Sequence, residues 1–245
     1  MSSSHDLLIA YTDQVSRLTE TFRSTQFTAL DQASEKIVEA YQNKKRFLVF
    51  GSGHSHMVSE EFYARAGGLA YVTPVLQNEL TLTDHPLKST LIERTLGMAQ
   101  VYFDLYHMEA GDVILICSNS GRNALPIELA RLAKEKGLSV IAFVNAKQTE
   151  TLSSRHPSGK NLPAFAELVI DNCGAYGDAG FDLGDGLMMG STSTIIGALM
   201  AQSLSILVAA KIKALNLDVP VFRSSNLDGA DDHNKKLIEH YCKTF

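Results

Sequence analysis

The sequence predicts an α/β protein: a doubly wound, five-stranded parallel sheet preceded by an N-terminal helical segment. Three observations predict it. Short all-apolar runs recur between residues 47 and 170, and most are followed by a stretch with helical spacing; strands apolar on both faces, joined by helices, mark a parallel sheet covered on both sides. The 245 residues contain no linker and no internal repeat, so one domain spanning 1–245 is expected. Two polar, glycine-containing loops follow the first and third apolar runs, and the carboxyl ends of strands are where open parallel sheets bind ligands.

Residues 1–45 read as N-terminal helices. Leu8, Tyr11, Val15, Leu18 and Phe22 recur at steps of three and four, and Leu30, Ala33, Ile37 and Tyr41 repeat the pattern. Such a stripe suits packing on its own domain or on a partner subunit. Residues 46–215 form the expected α/β core. Phe47–Phe50 is the first strand, and its helix runs to about Ala66, stopped by Gly67-Gly68. A strand near Tyr71–Leu76 and a helix over Ser89–His107 follow. Val113–Cys117 is the third strand with its helix to Lys136, Val140–Val144 the fourth, and Glu167–Ile170 the fifth. A long helix from Thr192 to Leu215 closes the core, and 216–245 are expected to hold a turn and a short helix from about Asp231. Lys147–Pro163 is the long irregular stretch, of the kind that serves as a lid or binding loop.

Apolar residues make up 45% of the chain and charged residues 20%, which excludes a disordered or fibrous chain. A net charge of −5 without a basic block argues against a nucleic-acid or anionic-membrane partner. Cys117, Cys173 and Cys242 have no metal-ligand or redox spacing, and a sparse, odd set suits a reducing cytosol. The N-terminus lacks a signal-peptide layout, and Ile195–Ala210 reads as too short to span a bilayer, so the expected location is cytoplasmic.

The loops are "GSGHSH" at Gly51–His56 and "SNSGRN" at Ser118–Asn123. In the common strand order 2-1-3-4-5 the strands before them are neighbours, and both loops face one crevice. A dinucleotide fingerprint fails because His56 stands where its third glycine belongs and no acid occurs near the second strand's end before Glu79. A nucleotide P-loop fails for want of its Lys-Ser/Thr pair, so no nucleotide cofactor is expected. A phosphate monoester fits: helix N-termini offer free N–H groups and partial positive charge. Ser118, Ser120 and Asn123 add donors, and Ser55 reaches in from the neighbouring loop. The plainer alternative is that these serines only cap helices.

"GSGHS", "CSNSGRN", "IAFVN" and "GSTSTIIGAL" together resemble the ordered motifs of the sugar isomerase (SIS) domain family, which binds phosphosugars. That family's Ser-x-Ser-Gly-x-Thr signature stands here as Ser118-Asn-Ser120-Gly121-Arg-Asn123, with Asn in place of the final Thr. The resemblance is firm over Phe47–Asn145 and looser to Leu215. "SRHPSGK" and "SSNLDGADDHN" look like a less characterised bacterial branch, related to phosphoheptose isomerase and muramic acid phosphate etherase. The resemblance implies a five-stranded sheet of order 2-1-3-4-5 and a homodimer or homotetramer whose active sites are completed by a second subunit. It implies that Ser55, Ser118, Ser120 and Asn123 hold the phosphate, with Ser191 and Thr192 near the sugar; Ser52 and His54 of the first loop are further substrate-binding candidates, and no cofactor is expected.

Moving a proton between sugar carbons, or eliminating from a sugar phosphate, requires acid–base groups. Related isomerases carry a glutamate three to four turns into the helix after the first loop; this chain has Arg65 near that place and Glu60-Glu61 about one turn earlier. Glu61 is the expected base, with Asp84 and Glu79 as reserves. His54 is a candidate for touching substrate, while His56 reads as structural. Asp228, Asp231, Asp232 and His233 crowd the turn before the last helix; they match no calcium loop, and no metal is expected. A dipole-favouring cap explains those acids, yet His233 would serve as acid or base if the oligomer sets it over a neighbour's crevice. Arg155, His156 and Lys160 in the long loop are either solvated or close over phosphate. The expected activity is that of a sugar-phosphate isomerase or lyase/dehydratase, and the alternative is a non-catalytic phosphosugar sensor.

Overall fold

A computed structural model describes residues 3–242. Residues expected to form N-terminal helices form one, α1 (Ser4–Gln42), of 39 residues. No glycine or proline interrupts them, and Ser3 and Asp6 close a reciprocal capping box at the start (3.0 and 3.2 Å). Phe22, Leu30, Ala33 and Ile37 are buried, so the C-terminal half of α1 packs on the domain. Its N-terminal half meets a hairpin that the sequence did not suggest.

β1 (Phe47–Gly51), α2 (His56–Phe62) and β2 (Val72–Val75) come next. The expected helix over 89–107 is broken into α3 (Lys88–Glu93) and α4 (Met98–Leu105). Gly97, at φ +84, makes the break, and its N–H donates to Glu128 Oε2 at 2.7 Å. A residue with a Cβ would be strained there. β3 (Val113–Cys117), α5 (Ala124–Glu135) and β4 (Ser139–Val144) follow as expected. α6 (Ala146–Thr151) occupies the start of the stretch expected to be irregular, and a 3₁₀ turn, Leu162–Ala164, ends it. β5 (Leu168–Asp171) completes the sheet, whose strands pair in parallel in the order β2-β1-β3-β4-β5.

The antiparallel hairpin β6 (Ala179–Asp182) and β7 (Met188–Ser191) stands apart from the sheet and lies on α1, where Tyr11 meets Phe181 edge-on at 6.0 Å. The chain then enters α7 (Ser193–Ala214) and ends in α8 (Ala230–Tyr241).

Alternation along each strand divides the core into two layers. Phe47, Val49, Leu115, Ile141 and Phe143 face α1, α2 and α7. Leu48, Phe50, Ile114, Ile116 and Ala142 face α4 and α5. α7 is 22 residues long and apolar enough to cross a membrane by length and composition, longer than the sequence segment suggested. Here it buries Ile196, Met200, Leu204, Val208 and Ile212 as the core helix between α1 and α2. At the amino ends of β1 and β3, the fully buried Asp112 accepts from Arg46 Nη2 at 2.6 Å and from the Arg46 N–H at 2.9 Å. This pair fixes the two central strands at the end opposite their ligand-facing loops.

Candidate functional site

β1 and β3 are hydrogen-bonded neighbours with Gly51 opposite Cys117, so their following loops emerge side by side. The first loop folds back over its own strand: a Cβ on Gly51 would collide with the Ser55 carbonyl. A 3₁₀ turn, Gly53–Ser55, leads from it into α2. His56 is structural as expected, with Nδ1 on the Gly53 carbonyl. The second loop is fixed from β4: Ser118 N–H donates to Phe143 O (3.0 Å) and Asn145 N–H to Asn119 O (2.9 Å). Gly121 N–H turns back onto the Ser118 carbonyl at 3.1 Å, giving the tight bend that opens α5.

Between the loops lies a cavity of about 490 Å³, lined by Ser52, His54 and Ser55 from the first loop and Ser118, Ser120 and Asn123 from the second. That volume lies in the range of small-ligand sites. A narrow cleft of about 10 Å³ extends it past Asn119 and Asn172 to Ser193 and Thr194 at the start of α7, room for about one water.

The third wall is α3, which sequence reasoning missed. It presents Ser89 and Glu93, four residues apart, to the cavity. Ser89 is 1% exposed, and its hydroxyl has no hydrogen-bond partner among the described residues. Leaving a buried hydroxyl unpaired costs roughly 1–3 kcal/mol, a cost that a bound polar group would offset. Burial raises the Glu93 pKa above its ordinary value, although hydrogen bonds from Asn123 and Ser52 and the charges of Arg94 and Arg155 pull it back. A carboxyl able to hold its proton thus borders the polar loops. Its signal in the sequence was faint, because "LIERT" reads as one turn of a covering helix.

Two residues expected on the ligand, Asn123 and Ser52, line the cavity beside Glu93, and their side chains oppose the rise in its pKa. Asn123 also accepts from Arg155 Nη1 at 2.9 Å through Oδ1. Ser191 and Thr192, expected near the sugar, are not among the residues lining the cavity; Asp178 takes the Ser191 hydroxyl and the Thr192 N–H, while the buried Thr192 hydroxyl has no partner among the described residues. The Asp178 carboxylate accepts from Ser191 Oγ (2.5 Å), Ser193 Oγ (2.7 Å) and the N–H groups of Thr192 and Ser193 (3.1 and 2.8 Å). Ser193 and Thr194 reach the cleft in their stead.

Glu61 and His233, the expected acid–base pair, are not among the residues lining the crevice of this subunit. The Glu61 carboxylate is bound by Arg65 and, at 2.7 Å, by Gln202 Nε2, which ties α2 to α7. His233 Nε2 lies 2.9 Å from the Val221 carbonyl and steadies the segment before α8. The reserves are elsewhere too: Asp84 pairs with Lys88 at 2.7 Å in solvent, and Glu79 is exposed. In the long loop, Arg155 alone of the three expected candidates touches a cavity-lining side chain, Asn123. His156 turns toward Glu128 (3.7 Å) and Ser158 (2.8 Å). Cys117 is buried at its strand end, and burial pushes its thiol far up, which leaves it inert.

Residues 10–145 match the family model described as SIS domain. A UPF0309 protein of Halalkalibacterium halodurans is 43% identical, covering 93% of this chain and 94% of its own length. Another, from Caldanaerobacter subterraneus, is 39% identical over 97% and 98%. Among solved structures, a phosphoheptose isomerase from Neisseria gonorrhoeae superposes with a TM-score of 0.56 at 17% identity, covering 85% of this chain and 100% of that one. The Vibrio vulnificus NanR protein complexed with ManNAc-6P gives 0.52 at 15% identity, covering 96% and 69%. At these identities the two structures share the fold with this chain.

Proposed function

The chain belongs to the SIS domain family, and from that premise we propose that it is an enzyme acting on a phosphorylated hexose, heptose or amino sugar. The reaction is an isomerisation, or an elimination by a lyase or dehydratase, run by general acid–base catalysis. One observation carries the reading: Ser55, Ser118 and Ser120, from loops at adjacent strand ends, line one cavity with Glu93, whose pKa burial raises. The serine hydroxyls and the loop N–H groups receive the phosphate dianion. That seat holds the sugar so that its first carbons reach Glu93.

Glu93 is the acid–base group. In isomerisation it takes a proton from one sugar carbon and returns it to the next; in elimination the same removal is paired with protonation of the leaving oxygen. Its pKa, raised by burial, makes the carboxyl a better proton acceptor than an ordinary surface acid. His54, exposed in the first loop and lining the same cavity, is the partner for ring opening or for the leaving group. Glu61 and His233 would join this chemistry only if a second subunit of a homodimer or homotetramer brought them to the crevice.

A phosphosugar sensor is the second reading. The NanR protein, alike in fold, is complexed with ManNAc-6P, and the same cavity would bind without turnover. The half-buried Glu93 carboxyl, with its raised pKa, favours the enzyme. Incubation of the pure chain with hexose, heptose and N-acetylhexosamine phosphates, followed by NMR, separates the two. Turnover is expected; binding without turnover across that panel makes the protein a sensor, and absence of binding removes both readings.

A further inference from the structure

We propose that Arg155 is a specificity-determining residue of the crevice, a fixed guanidinium that recognises the substrate's dianionic phosphate; the inference rests on the phosphosugar reading above. The one arginine of the serine loops, Arg122, is not among the residues lining the cavity and turns Nη2 to Ser153 Oγ at 3.3 Å; a seat of hydroxyls and amides separates a dianion from a neutral group less sharply than one that adds charge. Arg155 supplies the charge from outside the loops.

The stretch that carries it is a buttress. Arg155 N–H donates to Arg122 O and Leu162 N–H to Gly121 O, both at 2.8 Å, so the stretch is latched onto the phosphate loop at two points. Ser154 Oγ on the Lys160 carbonyl (2.9 Å) and Asn161 Nδ2 on the Leu152 carbonyl (2.7 Å) close it internally. From this base the Arg155 side chain reaches Asn123, with Nη1 2.9 Å from Oδ1. Asn123 lines the cavity and stands at the N-cap position of α5, where its side chain makes no capping hydrogen bond. A guanidinium has five N–H donors in a rigid fork. One is engaged on Asn123, and the fork suits a phosphate seated beside it.

The local charge points the same way. Arg94 and Arg122 lie close enough to add to desolvation in holding the Arg155 guanidinium below its ordinary pKa. The carboxyl that opposes them, Glu93, is itself pushed toward neutrality by burial. A dianion seated beside Asn123 meets the guanidinium charge of Arg155.

The competing role for Arg155 is a latch that only holds its loop to Asn123, and two substitutions separate the roles. Arg155→Gln keeps an N–H for Asn123 and loses the charge; Arg155→Lys keeps the charge and loses the fork. Titration calorimetry of the full chain uses glucose 6-phosphate, N-acetylglucosamine 6-phosphate and the unphosphorylated sugars, at low and high salt. Arg155→Gln is expected to weaken sugar-phosphate binding about 10- to 100-fold and to flatten its salt dependence. Its melting temperature stays at the wild-type value, and Arg155→Lys falls between the two. Wild-type affinity in Arg155→Gln overturns the inference, and the phosphosugar reading then survives if Ser118→Ala with Ser120→Ala weakens binding. Equal loss in Arg155→Lys and Arg155→Gln, with lowered melting in both, makes Arg155 a latch and also overturns it. Should the wild type fail to prefer phosphorylated over plain sugars, both readings fall together.

Discussion

Glu93 and Asn123 line the same crevice, and the Asn123 side chain opposes the rise in the Glu93 pKa; the pairing joins α3, on the wall that sequence reasoning missed, to the N-cap of α5. The contact sets an acid against the loop proposed to hold phosphate, and it links the acid, through Asn123 Oδ1, to Arg155.

Glu93→Gln tests the acid directly. Gln keeps the shape and the hydrogen bonds of a protonated carboxyl but moves no proton. Turnover of the substrate found by NMR is expected to fall about 10²- to 10⁴-fold, with affinity for the sugar phosphate little changed. A variant that keeps wild-type turnover would take the acid–base role away from Glu93.

The same carboxyl makes a pH prediction. Its folded pKa lies above the ordinary 4.5, so the folded state holds a proton that the unfolded chain has already released. Its contribution to stability is full below the unfolded pKa and is lost as pH rises through the raised folded value. Denaturant midpoints for Glu93→Gln should therefore gain on the wild type as pH climbs from below 4.5 towards neutrality. Parallel midpoint curves for the two proteins would show that Glu93 titrates as an ordinary surface acid.

Removing Ser118 and Ser120 hydroxyls together should weaken sugar-phosphate binding by about 10- to 100-fold, at roughly 0.5–1.5 kcal/mol for each hydrogen bond and more where the acceptor is charged. Binding of the unphosphorylated sugar should hardly move. Calorimetry on the double alanine variant checks this, and equal losses for both ligands would place the phosphate elsewhere.

The serines were legible in the sequence because each needs only local information: an apolar run, a glycine, a polar loop, a helix. Glu93 was not, because its place depends on the break at Gly97, and that break is held by Glu128, 31 residues away. Ser191 and Thr192 were expected at the ligand because a helix was read directly from its first hydroxyls. The β6–β7 hairpin intervenes, and its "AGFDLGDGLMMGS" has no clean alternation to announce strands. Asp178 then draws those groups into capping α7, and the residues that follow them reach the cleft. The single helix α1 read as two because its apolar positions change phase between Phe22 and Leu30. Only the second stripe, with Phe22, finds a core.

Glu61→Gln should behave as a structural change. Its carboxylate holds Arg65 on its own helix and Gln202 on α7. The side chain is 22% exposed and its Arg65 partner 46%, so the ion pair is worth at most about 1 kcal/mol. A small loss of stability with turnover per folded molecule intact is expected from thermal melts and the NMR assay. Loss of turnover without loss of stability would restore Glu61 as a catalytic group, delivered to the crevice of a second subunit.

Asp178→Asn should loosen the start of α7 and remove an acid limb from the stability profile. Burial alone would raise the Asp178 pKa, but the hydroxyls of Ser191 and Ser193 and the N–H groups of Ser193 and Thr192 outweigh it and hold the carboxyl below 3.8. For a lowered pKa the contribution is present above the unfolded value and disappears as pH falls through the folded one. The wild type should therefore lose stability relative to Asp178→Asn as pH drops below about 4, the ordinary aspartate range. At neutral pH the variant should be the weaker by about 2 kcal/mol, the scale of charged hydrogen bonds lost. The effect should reach the site: Ser193 and Thr194 line the cleft and depend on Asp178 to fix the first turn of α7. A weaker fit of the sugar end, seen as a raised KM with little change in kcat, is the expected kinetic signature. Unchanged KM in a destabilised Asp178→Asn variant would mean that the cleft at α7 lies outside the sugar's reach, and that the substrate occupies only the cavity between the two loops and α3.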